Sequence, residues 1–555
     1  MKRLITLLII FAMLAALAGC ASNAEERPTE TADLPAPSIS VEAIPDLPED
    51  FVMGADISSL LSLEAAGRVF YGYEGKEQDL LQTLSQSGVN YIRVRVWNDP
   101  FDEAGNGYGG GNCTLDTAIE LGKRAARYGM GLLVDFHYSD FWADPGKQQP
   151  PKAWAGMTLA EKSDAIYDYT KESIGQIKSN GISVGMVQVG NETTGGLCGE
   201  WEKEGMYTLM KRAADGVRDA DEKILIAVHY TNPEKQGYGA HAQDLKDFGV
   251  DYDIFATSYY PQFHGSVENL RQQLKAVQDI SGKQVMIAET SWDYSTSEEG
   301  AYRRSVQGQA DAIADCVRTM AALGGVGVFY WEPAWIDVPG ESPDALTAIR
   351  EQHGAGWASS FAGSYDPEDA GRYYGGTACI PSALFDPEGH PLESLKTFYY
   401  LRHGSGVVRE NYIRNPSFEE TDCSMWKITE AVAGTVGVQQ TDARDGQNAL
   451  HFWSDQAVSF TAEQTVTELP EGEYAFSVNV QGDGAGERAV LVIYALSGGT
   501  RYEQRFTLNG WCSWRIPVIE HIPCGNGEMT VGIEIRAAAG AWGTVDRMEL
   551  LGENG

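Results

Sequence analysis

The chain has 555 residues, 43% of them hydrophobic, enough apolar material for large cores and a length that suggests about two or three domains. Its formal net charge of −36 argues against nucleic acid as a partner, because an acidic surface repels phosphates and lacks the basic patches such binding uses. A neutral ligand is fully compatible with that charge. The first segment begins with Lys2 and Arg3, runs through an apolar stretch from Leu4 to Leu17, and closes on Leu17-Ala-Gly-Cys20. That stretch is short of the roughly 20 residues a transmembrane helix needs.

This start resembles a bacterial lipoprotein signal with its lipobox. The resemblance implies cleavage before Cys20, lipidation of Cys20, and an extracytoplasmic protein anchored to a bacterial membrane or cell surface. Residues 21–48 are rich in Ala, Pro, Glu, Thr and Ser, cannot bury enough apolar surface to fold alone, and read as a flexible linker. The cysteines after Cys20 contain no Cys-x-x-Cys pair, so they make no case for zinc. An oxidising compartment permits disulfides; Cys113 with Cys198, and Cys423 with Cys512 or Cys524, are the candidate pairs.

From Val52 onward, short β-rich runs alternate with helical stretches, the rhythm that gives a parallel sheet. The runs are 52–57, 91–97, 131–137, 183–189, 224–230, 254–259, 284–289 and 325–331. Eight of them predict a closed (β/α)8 TIM barrel over residues 49–405. Helical stretches 115–128, 159–180 and 307–323 are followed by Gly129, Gly181 and Gly324, as helix C-caps are. In Ile92-Arg-Val-Arg-Val96 a period of two puts Arg93 and Arg95 on one face. From about residue 411 the helical rhythm stops and alternating runs at 474–480, 489–494 and 529–535 predict an all-β jelly-roll sandwich over 408–555.

Two of the barrel runs end on acidic residues, Glu192 after Asn191 and Glu289 before Thr290. Carboxylates at the carboxyl ends of two barrel strands converge on one cleft, and glycoside hydrolysis needs such a pair: one carboxyl protonated to donate, the other ionised.

Gly54-Ala-Asp-Ile-Ser58, Arg93-Val-Arg-Val-Trp-Asn-Asp-Pro100, Asp135-Phe-His-Tyr-Ser-Asp-Phe-Trp142, Gln188-Val-Gly-Asn-Glu192, Ala288-Glu-Thr290 and Phe329-Tyr-Trp-Glu-Pro-Ala-Trp335 carry a family resemblance. Gly356-Trp-Ala-Ser-Ser360 and Tyr365-Asp-Pro-Glu-Asp-Ala370 extend it. Together they resemble glycoside hydrolase family 53, the endo-β-1,4-galactanases acting on galactan or type I arabinogalactan. The resemblance implies a retaining enzyme with Glu192 as acid/base and Glu289 as nucleophile. It implies that Asn191 meets the sugar 2-hydroxyl, that Arg95 and Tyr259 hold the nucleophile, and that His137 and Asp56 shape the same floor. Trp331 would stack on a sugar ring, with Trp97, Trp142, Trp292 and Trp335 extending the platform.

Bacterial relatives often hold calcium in the loop after strand seven, but Asp293-Tyr-Ser-Thr-Ser-Glu-Glu-Gly-Ala-Tyr302 is a thin supply of oxygen ligands, so a calcium loop of the family type is not evident and no required cofactor is expected. Asn411-Tyr-Ile-Arg-Asn-Pro-Ser-Phe-Glu419 and Trp542-Gly-Thr-Val-Asp-Arg-Met-Glu-Leu550 resemble a family 61 carbohydrate-binding module. Trp426, Trp453, Trp511, Trp514 and Trp542 are its stacking candidates. Two other readings remain open at this point: a related barrel enzyme cutting mannan or cellulose, and a surface lipoprotein that captures glycans without cutting them.

Overall fold

The computed structural model describes residues 36–296, 300–340, 342–376 and 380–552. Cys20, Cys379, Glu298 and Glu299 lie outside the described residues. Eight parallel strands form the barrel: β1 (Val52–Asp56), β2 (Tyr91–Val96), β3 (Gly131–Phe136), β4 (Met186–Val189), β5 (Leu225–Tyr230), β6 (Ile254–Ser258), β7 (Gln284–Thr290) and β8 (Gly327–Trp331). Each pairs with the next and β8 closes on β1. The strands are buried on both faces because helices cover the outside and side-chain layers fill the inside.

The alternation read in β2 holds. Ile92, Val94 and Val96 join the core between strands and helices, while Arg93 and Arg95 turn into the barrel. Below them the interior is apolar, filled by Leu133, Met186, Ala256, Met286, Ala288 and Phe329. Gly54 is what lets Phe329 lie there, since a Cβ on residue 54 would come within 2.2 Å of its ring. Polar groups are confined to the layer at the strands' carboxyl ends, which is where the site forms.

The covering helices carry local signals that agree with their ends. Thr158 and Glu161 form a reciprocal capping box on the helix Leu159–Ser179. Gly129, Gly181 and Gly324 take positive φ just beyond their helices, satisfying the last carbonyls as expected.

Part of the segment expected as linker is docked instead. Ile39 and Val41 are buried in the barrel's outer core, Ser40 N–H donates to Gln307 Oε1 at 2.8 Å, and Val41 N–H donates to Ser405 Oγ at 3.0 Å. A short stretch that cannot fold alone can still add two β-branched side chains to a surface already formed.

The C-terminal strands form a sandwich. One sheet runs in the order β15 (Thr500–Arg505), β14 (Val490–Ser497), β18 (Glu528–Ala537), β12 (Val458–Thr467), β9 (Lys427–Glu430). The other runs β10 (Val436–Gln440), β11 (Asn448–Trp453), β19 (Trp542–Gly552), β13 (Gly472–Asp483), β16 (Gly510–Arg515), with β17 (Val518–Cys524) also on β13. Inward residues such as Phe476, Val478, Ile533 and Ile535 make the core between them. The six described cysteines are all free, so none of the candidate disulfide pairs forms. Cys113, Cys198 and Cys524 are instead buried as small apolar side chains.

The sandwich packs directly on the barrel. Trp514 joins Trp292, Ala301, Tyr302 and Ala312 in one apolar cluster. Beside it the buried Arg444 guanidinium lies 4.1 Å from the centre of the Tyr302 ring and 3.4 Å from Asp315. Removing Arg444 takes from Asp315 the shortest of its three arginine contacts, the others being Arg318 at 3.6 Å and Arg547 at 3.8 Å, and takes the cation from the Tyr302 face. Arg444→Ala is therefore expected to lower stability by about 3 kcal/mol, read from the urea midpoint at an unchanged slope.

Candidate active site

The centre of the polar layer is Arg93. Its Nη1 donates to Asp56 Oδ2 at 2.7 Å, and its Nη2 lies 2.8 Å from Asp135 Oδ2, 2.9 Å from Asn191 Oδ1 and 2.9 Å from Glu289 Oε1. Burial by itself opposes the charge, but Asp135, Glu289 and Asp56 outweigh it and raise the Arg93 pKa above its ordinary value. Asp135 is likewise buried, yet Arg93 and His137 bring its carboxyl below the usual range.

Glu289 Oε2 accepts a hydrogen bond from the Tyr260 hydroxyl at 2.8 Å. Burial pushes the Glu289 carboxyl up, against the pull of Arg93 and Tyr260. Glu192 is held by a hydroxyl rather than a cation: its Oε1 accepts from Ser258 Oγ at 2.6 Å. Burial, then the charge of Glu289, push Glu192 up to about 8, and the Ser258 bond only partly offsets them. The two carboxyls thus titrate as an interacting pair in which Glu192 lacks the cation that Glu289 has.

Glu192 sits at φ 45, and Tyr138 and Glu332, just after β3 and β8, also take positive φ. Such conformations cost a non-glycine residue energy and persist where the surroundings over-determine them. Here Thr193 N–H bonds the His229 carbonyl at 2.8 Å and fixes the turn that aims Glu192 inward. His137 is fixed in its turn: the Trp97 indole N–H donates to Nδ1 at 3.0 Å, which leaves Nε2 to donate to Asp135 at 3.0 Å. Above these groups lies a cavity of about 240 Å³, lined by both glutamates, Arg93, His137, Asn191, Trp142 and Trp331. Trp357, Lys147, Asp144 and Asp369 form more of its wall.

The profile described as Glycosyl hydrolase family 53 matches residues 52–398. The chain belongs to that family. It is 47% identical over 418 residues to a Bacillus subtilis protein named endo-beta-1,4-galactanase, a match covering 71% of this chain and 97% of that protein. It is 32% identical over 376 residues to the arabinogalactan endo-beta-1,4-galactanase of Humicola insolens, covering 63% and 98%. The solved Ignisphaera aggregans family 53 catalytic domain superposes with a TM-score of 0.58 at 32% identity, covering 65% of this chain and 99% of that one.

In this family 53 barrel the glutamates, Asn191, His137, Trp142 and Trp331 come together at one cleft as expected. Three other placements differ. Arg95 does not touch Glu289: its Nη1 lies 2.6 Å from Glu332 Oε1 and its guanidinium packs 4.5 Å from the centre of a Trp142 ring. Tyr259 is buried and its hydroxyl donates to the Gly265 carbonyl, while its neighbour Tyr260 faces Glu289. Asp56 is fully buried beneath Arg93 and does not reach the cavity. Of the expected aromatic platform, Trp97 and Trp335 are packed under Trp142, and Trp292 is covered by the sandwich.

The sequence places Arg93 on the inward face beside Arg95 but assigns it no site role, and it gives none to Tyr260, Ser258, His229, Lys147 or Trp357. The signal for Tyr260 was there: Ala256, Ser258 and Tyr260 follow one another on the inward phase of the strand, and Tyr259 is on the other. Asp293, from the loop poor in calcium ligands, pairs with Arg304 at 3.0 Å.

A hydrogen bond to an ionised group contributes about 1.5–3 kcal/mol, a factor of roughly 10–100 in rate when it matters in the transition state. Tyr260→Phe is therefore expected to lower kcat by roughly 10–100-fold with an unchanged circular dichroism spectrum. Tyr259→Phe is expected to stay within about 2-fold of the parent kcat and to lose about 1 kcal/mol of stability.

Proposed function

We propose that this chain is an endo-acting, retaining β-1,4-galactanase for galactan or type I arabinogalactan, with Glu289 as nucleophile and Glu192 as acid/base. The observation that carries the assignment of roles is the asymmetry of the two carboxyls across one cleft. Glu289 has a guanidinium on one oxygen and a phenol on the other. Glu192 has neither, and is pushed up to about 8. An ionised nucleophile beside a protonated acid is the state a double displacement starts from.

The steps follow from that geometry. Glu289 attacks the anomeric carbon while Glu192 gives its proton to the departing glycosidic oxygen. Once Glu289 is esterified its charge is gone, so the repulsion that adds to burial in holding the proton on Glu192 disappears. Glu192 then ionises more readily and takes a proton from the incoming water, which releases the sugar with its configuration retained. Asn191, whose Nδ2 donates to the Ala143 carbonyl at 2.9 Å and whose Oδ1 faces Arg93, is fixed beside Glu192 to meet a sugar hydroxyl. Trp331 and Trp142 offer ring faces along the cleft.

The names of the Bacillus subtilis and Humicola insolens relatives support galactan as the substrate. On the sandwich, Trp453 and Trp511 are 57% and 46% exposed, whereas Trp426 and Trp514 are buried, so the first two are the better stacking residues for a carbohydrate-binding role. The sequence of residues 1–20 supports a lipid anchor at Cys20 on the outer side of a bacterial membrane.

Product analysis on galactan, mannan and carboxymethylcellulose tests the substrate: short galacto-oligosaccharides are expected from the first, and cleavage of only the latter two would overturn the proposal. Glu289→Gln is expected to lower kcat on galactan by roughly 10⁴-fold or more. Because the reaction needs protonated Glu192, kcat/KM is expected to fall as pH rises through about 8. A basic limb absent up to pH 10 would contradict the acid role.

A further inference from the structure

Behind Glu192 runs a chain of buried groups that the two displacements do not use. Ser258, the last residue of β6, is fully buried, and its Oγ lies 2.6 Å from Glu192 Oε1 and 3.0 Å from His229 Nε2. His229, on β5, is also fully buried. Burial, reinforced by the nearby Arg93 charge, holds its imidazole neutral, so the ring carries one proton.

Two donors meet at Nδ1. The Glu192 backbone N–H approaches it at 3.4 Å and Gln188 Nε2 at 3.0 Å. A backbone N–H cannot reverse its direction, so Nδ1 accepts and the ring proton sits on Nε2. Asn191 Oδ1 lies at 2.9 Å and also accepts from Arg93 Nη2; its second lone pair leaves it open to another donor, so the direction rests on the Glu192 N–H, which has no other acceptor among the hydrogen bonds of the described residues. The direction of the rest follows. His229 Nε2–H donates to Ser258 Oγ, and the one hydroxyl hydrogen of Ser258 is left for Glu192 Oε1. An Oε1 that accepts leaves the acid proton of Glu192 on Oε2.

We propose that Ser258, oriented by His229, is a positioning residue that fixes which oxygen of Glu192 carries the transferable proton. The proposal rests on Glu192 being the acid/base. It ties the proton donor to the backbone that aims it, since the Glu192 N–H anchors the same imidazole that orients its carboxyl. The charged and titratable groups facing this chain are Glu289 on β7, Tyr260 just after β6, Tyr238 between β5 and β6, Asp144 beyond β3, Arg93 on β2, and Asp135 and His137 at the end of β3. None of them contacts Ser258 Oγ among the hydrogen bonds of the described residues, so Ser258 can be altered while their own pairs stay in place.

The test is the pH profile of kcat/KM for Ser258→Ala, His229→Ala, His229→Gln and the double alanine variant. Galactan is compared with an aryl β-galactoside whose nitrophenol leaving group needs little acid assistance. Loss of a donor to the ionised form favours the protonated form, so Ser258→Ala is expected to move the basic limb up by about one pH unit. On galactan kcat/KM is expected to fall about tenfold, and on the nitrophenyl substrate by less than about 3-fold.

His229→Ala should shift the limb in the same direction, and His229→Gln, which keeps an N–H able to reach Ser258, should restore it partly. The double variant should shift no further than Ser258→Ala alone, because both changes cut one chain. A basic limb that stays in place in Ser258→Ala with a parental melting curve overturns the proposal, and so do additive shifts in the double variant. Glu192→Gln separates the two levels. Full galactan cleavage by that variant would overturn the acid/base assignment itself, whereas its inactivity beside an unmoved limb in Ser258→Ala would overturn only the positioning role.

Discussion

The site depends on one buried cation. Taking a guanidinium out of water costs several kcal/mol unless its charge and its N–H groups are matched. Arg93 meets that cost with Asp56, Asp135 and Glu289 as acceptors of its charge, and with Asn191 and Gln188 as further hydrogen-bond partners. These partners come from β1, β3, β4 and β7, so satisfying one charge gathers the carboxyl ends of four strands. The apolar layer beneath, with Phe329 lying over Gly54, gives this polar layer a dry floor. A displaced strand end would leave a buried charge unpaired, which opposes the shift of one strand end against the others.

From that constraint the difference between the two glutamates follows. Glu289 takes one of the Arg93 contacts and is completed by Tyr260. Glu192 is reached through neutral groups, the Ser258 and Thr231 hydroxyls on its carboxyl and His229 on its backbone N–H. Burial raises the proton affinity of both carboxyls, but only at Glu289 do a cation and a phenol pull the other way. The strained turn at Glu192 belongs to this design, because it turns the side chain from the strand's path into the cleft. The sandwich adds a second fixed relation, since the cluster of Trp514 and Trp292 with the Arg444 pair docks it to the barrel.

Much of this was legible in the sequence, and the misses have definite causes. The eight strands were readable because β-branched runs and glycine-ended helices repeat, and the glutamates because Asn191-Glu192 and Glu289 end two of those runs. The shared face of Arg93 and Arg95 was readable from a period of two. Which of them meets Glu289 was not, because that depends on how far each lies along the barrel axis and on what β8 places opposite, here Glu332. Tyr260 was within reach of the same alternation, counted from Ala256. Trp97, Trp292 and Trp335 read as sugar platforms because an exposed and a packed indole look alike in a sequence; the neighbouring Trp142 and Trp514 decide between them. The segment around Ile39 and Val41 read as linker because its partner surface is assembled from residues more than two hundred positions away, such as Gln307 and Ser405.

At the centre of this mechanism Glu289, held by Arg93 and Tyr260, supplies the carboxylate oxygen that bonds to the sugar in the covalent intermediate. Trapping that intermediate with a 2-deoxy-2-fluoro β-galactosyl substrate bearing a good leaving group, followed by peptide mapping by mass spectrometry, tests it most directly. A single fluorogalactosyl ester is expected on the peptide containing Glu289, at that residue. An ester on Glu192, or on any other carboxylate, would contradict it.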